Sequence, residues 1–87
     1  MSKTSKKMKA YVLVETSAGK AKAVKRSLAR IKTSSAVLAL DAITGPYDFI
    51  ATLEGPSLDA IGRLVTDEIG IIDGVTRTTT CVVVSMA

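Results

Sequence analysis

The chain has 87 residues, no histidine and one cysteine, so the side chains that most often carry catalysis are nearly absent. Histidine is the commonest general base and metal ligand. Without it, Cys81 has no imidazole to draw off its proton, and one Cys cannot assemble a zinc site. Cys81 lies in the apolar run TTTCVVV, which reads as an inert buried thiol. Asp41, Asp48, Asp59, Asp67 and Asp73 are scattered, and no spacing pairs two carboxylates for acid–base work. Neither GxGxxG nor GxxxxGK[ST] occurs, so no phosphate-cradling loop is encoded. Two short stretches do stand out. One is Thr44-Gly45-Pro46-Tyr47-Asp48-Phe49, and the other is Asp73-Gly74-Val75-Thr76-Arg77-Thr78-Thr79-Thr80.

Those stretches need elements to position them. Lys9 to Glu15 (KAYVLVE) is β-branched and apolar, a strand. Thr16 and Ser17 are expected to cap a following helix through their hydroxyls. From Lys20 to Ile31, Ala21, Val24, Leu28 and Ile31 form one apolar stripe, with Lys22, Lys25, Arg26 and Arg30 around it. Val37 to Ile43 reads as a strand, the Gly-Pro stretch as a turn, and Phe49 to Leu53 as the returning strand. Ser57 is the expected cap of a second helix, with Asp59 in its first turn. Leu58, Ile61, Leu64 or Val65, and Ile69 make its stripe, and Gly70 ends it. Asp73-Gly74 turns into a last strand over Val75 to Val84. The order is β-α-β-β-α-β, an α+β, ferredoxin-like arrangement: a four-stranded antiparallel sheet with both helices on one face.

Composition limits what such a domain can be. Hydrophobic residues are 47% of the chain and aromatics 3%, so the core is built from Val, Ile, Leu and Ala. No apolar run reaches the length of a membrane helix, and a single cysteine suits a reducing compartment. The expectation is a soluble, cytoplasmic protein. The net charge of +4 sits in residues 1–8 and Lys9. Lys3, Lys6, Lys7 and Lys9 precede any acid, and beyond them eight cations balance eight acids. Residues 1–8 read as a basic flexible leader before a domain over 9–87. Such a leader can touch nucleic acid, but a solubilising role explains it as well.

The sheet face away from the helices is unusual. In the first strand Ala10, Val12 and Val14 oppose Tyr11, Leu13 and Glu15, and in the last Arg77, Thr79, Cys81 and Val83 oppose Thr78, Thr80, Val82 and Val84. Both sets are largely apolar or weakly polar, so either one leaves an oily face. Burying about five such side chains would contribute on the order of 1.5–3 kcal/mol each, and large apolar patches are uncommon on monomers. A second copy packed sheet to sheet is the simplest cover. The sheet also lacks the aromatics with which RNA-binding relatives of this topology stack bases.

The turn with Gly45, Tyr47 and Asp48, then a helix, then Gly74, Val75, Thr78 and Thr80, resembles the ligand-binding domain of the Lrp/AsnC family, also called the RAM domain. The resemblance spans residues 9 to 84. It implies dimers formed through the sheets as dimeric α+β barrels, which stack into octamers or decamers. Full-length members are transcription regulators with an N-terminal helix-turn-helix. Nine residues are too few for one, so a stand-alone RAM domain is expected, with no direct operator (DNA) binding. Carried over from the family, the residues expected to hold an amino acid or related small-molecule effector between protomers are Gly45, Pro46, Tyr47, Asp48, Thr78 and Thr80. Turn N–H groups and threonine hydroxyls would meet its carboxylate, and Asp48 its ammonium. Arg77 and Arg63 are further candidates for the carboxylate, though both also read as solvated charge. Five of the six have a stated structural alternative: Gly45 and Pro46 shape the turn, Asp48 bonds nearby backbone N–H groups, and Thr78 and Thr80 suit a strand because threonine favours strands.

The resulting expectation is a non-enzymatic effector domain without cofactor or metal. It would assemble with copies of itself or with full-length Lrp/AsnC regulators. A purely structural oligomerisation module and a small dimeric α+β barrel enzyme are the alternatives.

Overall fold

The computed structural model describes residues 7–32 and 36–84. Four strands, β1 (Met8–Thr16), β2 (Val37–Ala42), β3 (Phe49–Gly55) and β4 (Val75–Val82), form one antiparallel sheet in the order β2-β3-β1-β4. Helices α1 (Ala21–Ile31) and α2 (Leu58–Leu64) cover one face. This is the expected ferredoxin-like α+β arrangement. Of the leader, residues 1–6 lie outside the described residues. Met8 already pairs with Gly55, and Lys7 Nζ lies 3.8 Å from Glu54.

Register explains which side chains share the core. Ala10, Val12 and Val14 of β1 stand opposite Leu53, Ala51 and Phe49 of β3. All six are buried, and beneath them pack Val24 and Leu28 of α1 with Ile61 and Leu64 of α2. Because strand side chains alternate, the intervening Tyr11, Leu13, Ile50 and Thr52 must occupy the other, uncovered face. On β4 the residues opposite Ala10, Val12 and Val14 are Val82, Thr80 and Thr78. Thr78 and Thr80 therefore point toward the helices, while Arg77, Thr79 and Cys81 belong to the open face.

Four local expectations change. Thr16 and Ser17 do not cap α1: Lys20 occupies its N-cap position, and no side chain makes a capping hydrogen bond there. Thr16 is instead the last residue of β1, and Asp48 takes both its N–H and its hydroxyl. At α2 the expected cap does form, Ser57 Oγ accepting from Ala60 N–H at 3.1 Å. Its stripe does not continue as one α-helix, however. After Leu64 the backbone widens into a π-helical turn over Val65–Ile69, closed by Gly70 N–H to Val65 C=O at 2.7 Å. The wider turn lets consecutive Leu64 and Val65 both be buried along with Ile69. Leu58 lies off the core at 52% exposure. Finally, Cys81 is exposed, not buried. It stands opposite Tyr11 on an edge strand, so its apolar sequence neighbours do not cover it.

Gly74 joins the two halves tightly. Its φ is +101°, and a Cβ there would lie 2.8 Å from Lys20 Cβ and 3.0 Å from Val24 Cγ2. Only glycine meets both demands. Its carbonyl accepts from Ser17 N–H at 2.8 Å, and Asp73 reaches Lys20 Nζ at 3.3 Å. The start of α1 is thus fixed by the entry to β4.

Candidate functional site

The turn between β2 and β3 is tied to the end of β1. Gly45 takes φ +126° with open space where a Cβ would project, so conformation alone requires glycine there. Ile43 N–H donates to Asp48 C=O, and Asp48 N–H donates to Val14 C=O, each at 2.9 Å. The Asp48 carboxylate faces the end of β1, where Oδ2 accepts from Thr16 N–H at 2.8 Å and from Thr16 Oγ1 at 2.9 Å. Three hydrogen bonds therefore hold Asp48 to β1, and the residue before it has a defined position.

That residue is Tyr47. Its ring crosses the open face beside β1, and its hydroxyl lies 2.7 Å from Thr79 Oγ1. The Arg77 guanidinium sits 5.5 Å from the ring centroid, within cation–π range. Arg77 Nη2 is also 3.5 Å from Glu15 Oε2. Thr76 Oγ1 reaches Glu15 Oε1 at 2.8 Å. A polar row of Glu15, Arg77, Tyr47 and Thr79 thus borders the apolar middle of the open face, where Leu13 and Tyr11 lie.

Its chemistry suits a small zwitterion. A guanidinium binds a carboxylate in a charge-assisted bond, and Glu15 can accept from an ammonium. The Tyr47 and Thr79 hydroxyls share one proton between them, which leaves the other free to donate. Apolar neighbours would accept a side chain. Among the described residues no three His, Cys, Asp or Glu side chains gather as a metal site, and no helix is long and apolar enough to cross a membrane.

The six sequence-derived positions divide between two places. Gly45, Pro46, Tyr47 and Asp48 lie together in the turn. Thr78 and Thr80 face the helices, and within one protomer they do not meet Tyr47. Thr80 lines a separate open groove of about 690 Å³ between α2 and β4, with Leu58, Ile61, Thr66 and Val82. The hydroxyl that does meet Tyr47 is Thr79. Strand alternation pairs Thr79 with Arg77 on one face, and that signal could have selected it. Glu15 and Thr16 carried no local signal, because their roles come from neighbouring strands.

Comparison with known proteins agrees with the fold. Residues 9–87 match the family described as the Lrp/AsnC ligand binding domain. A solved protein of Thermus thermophilus superposes with a TM-score of 0.79 at 25% identity, covering 92% of this chain and 96% of that one. AsnC of E. coli gives a TM-score of 0.76 at 22% identity, covering 90% of this chain and 51% of AsnC. A Neisseria meningitidis transcriptional regulator, solved as a complex with L-Met, gives a TM-score of 0.76 at 20% identity over 91% of this chain and 51% of its own. The chain thus spans about half of each of these two regulators. No curated protein matches it in sequence. With the strand order, the Gly-Pro-Tyr-Asp turn and a family match over nearly the whole sequence in agreement, the chain belongs to the Lrp/AsnC ligand-binding domain family.

Proposed function

We propose that this chain is a non-enzymatic effector domain that binds an amino acid or related small metabolite at a seam between copies of itself. The observation that carries the reading is the polar row of Glu15, Arg77, Tyr47 and Thr79 at the margin of an uncovered sheet face. Two open faces packed together would bury Tyr11, Leu13 and Ile50. The seam would leave the row at its rim, where a zwitterion meets both charges. Binding would bias the assembly, and through it any full-length regulator that shares the assembly, by the difference in affinity between its states. The L-Met complex of the Neisseria regulator gives the ligand class a precedent within the fold.

The test is a thermal-shift screen of the twenty amino acids, followed by sedimentation of the hits. A ligand at a hundredfold its Kd adds about 2.7 kcal/mol to stability, which raises Tm measurably in a domain of this size. Arg77→Ala is expected to abolish the shift while leaving the melting temperature of the free protein nearly unchanged. If no compound raises Tm at millimolar concentration, the effector reading fails.

One observation favours a second reading, a purely structural oligomerisation module. Asp48 is already bonded to Thr16, and the Tyr47 hydroxyl to Thr79, within one copy. On that reading, light scattering finds an assembly whose size ignores every metabolite.

A further inference from the structure

The charge on this molecule is sorted by helix. Between Glu15 and Asp41 the sequence holds no acid, and Lys20 to Lys32 alone holds Lys20, Lys22, Lys25, Arg26, Arg30 and Lys32. All six are exposed. One of them, Lys20, is paired to Asp73. All eight acids of the chain are among the described residues, and none pairs with Lys22, Lys25, Arg26 or Lys32. At the α-helical 100° per residue, Lys22, Arg26 and Arg30 fall on the side away from the buried stripe of Val24 and Leu28, and Lys25 lies on the flank next to them. Lys22, Arg26 and Arg30 follow at steps of four, about 6 Å apart along the axis.

This arrangement works against the helix. Lys22 with Arg26, and Arg26 with Arg30, are like-charge pairs at i,i+4 and repel. The first turn has no acid to meet the positive end of the dipole. An external anion would remove both penalties. The remaining exposed side chains of this helix are Ala21, Ala23 and Ala29. They offer no apolar anchor of the kind a protein interface centres on, but they allow a bulky anion to approach closely. The chain also contains no Asn or Gln, the side chains that read adenine edges.

We propose that the outer face of α1 is a docking surface for the phosphate backbone of double-stranded nucleic acid, independent of base sequence. It differs from operator recognition in that it supplies contact with phosphates and no readout. It also lies on the opposite side of the sheet from the effector site, so either proposal can fail without the other.

The test is fluorescence anisotropy of the full chain with a mixed-sequence duplex, titrated with salt. About four phosphate contacts give a log–log salt slope of about −3.6, so affinity falls about a hundredfold between 50 and 200 mM salt. A duplex of unrelated sequence is expected to bind within about twofold of the first. The double substitution Lys22→Glu, Lys25→Glu should cut the slope by about two units, with Tm held or raised, so that lost binding is not lost folding. The same charge change in the leader, Lys3→Glu with Lys6→Glu, serves as the control and should leave most of the slope intact. Absence of binding at 50 mM salt overturns the inference. So does loss of binding in the leader variant alone. Equal binding of poly-glutamate would assign the face to an acidic protein partner and overturn it too.

Discussion

The two helices do the same job for the fold and are built by opposite means. Each lies on the same sheet face and buries one stripe: Val24 and Leu28 from α1, Ile61 and Leu64 from α2. Yet α2 starts with a bonded Ser57 cap and Asp59 in its first turn, and ends with Arg63. Each of those choices lowers the free energy of a short helix. Helix α1 has neither of the first two. Its start is held by tertiary contacts instead, through Gly74 packed on Lys20 and Val24, the Ser17 to Gly74 hydrogen bond, and the Lys20–Asp73 pair. Packing needs only the stripe, so the fold does not demand the unbalanced charge of α1.

The largest effect should come from the stripes themselves, where the helices are alike. Leu28 and Ile61 are each 2% exposed. Leu28→Ala and Ile61→Ala are each expected to cost about 2–5 kcal/mol, read as a lower urea midpoint. If Leu28→Ala costs under about 1 kcal/mol while Ile61→Ala falls in that range, α1 is not held by its stripe and the comparison breaks.

Glycines sharpen the contrast next. Gly74→Ala adds a Cβ 2.8 Å from Lys20 Cβ at φ +101°. The strain and the clash together should cost about 1–3 kcal/mol. Gly62, inside α2, has nothing within 4 Å of its would-be Cβ, so Gly62→Ala should stabilise by about 0.4–1 kcal/mol. Thermal melts of the two variants are expected to move in opposite directions. A Gly74→Ala protein that melts like the parent would mean that the α1 start is loosely seated.

These contrasts also mark what the sequence could say. Alternation in β1 and β3 and the three- and four-residue steps of both helices identify the layers, because burial imposes those periods on the chain. Ser57 was legible because its cap is a contact between near neighbours in sequence. Thr16 was misread because a residue 32 positions away, Asp48, took the hydroxyl that local logic assigned to α1. The π-helical turn was hidden for a related reason. Leu64 and Val65 read as alternatives for one place on a stripe, and the backbone widened to bury both. In the candidate site, the turn residues Gly45 to Asp48 carried a recognisable pattern. Choosing Thr79 over Thr78 and Thr80 depended on strand register, and register is fixed by which residues face the helices.

The caps themselves come next in size. Ser57→Ala removes the bond to Ala60 N–H and should cost about 1 kcal/mol. Thr16→Ala should leave the start of α1 unaffected and instead loosen the β2–β3 turn, seen as faster amide exchange at Asp48. If α1 frays in Thr16→Ala, the absence of a cap on α1 is in error.

The smallest effect carries the opposite sign. Lys22→Glu places an acid in the first turn of α1, where the dipole favours it. It also converts the Lys22 and Arg26 repulsion into an i,i+4 attraction with the acid on the N-terminal side. The expected gain is about 0.3–1 kcal/mol, visible as a Tm increase that shrinks as salt screens the charges. The equivalent change on α2 has no such margin, because Asp59 already occupies its first turn. A surface lysine whose replacement steadies the fold is one that the fold did not select. A stabilised Lys22→Glu protein would therefore show that the charge on α1 is kept for something outside the chain.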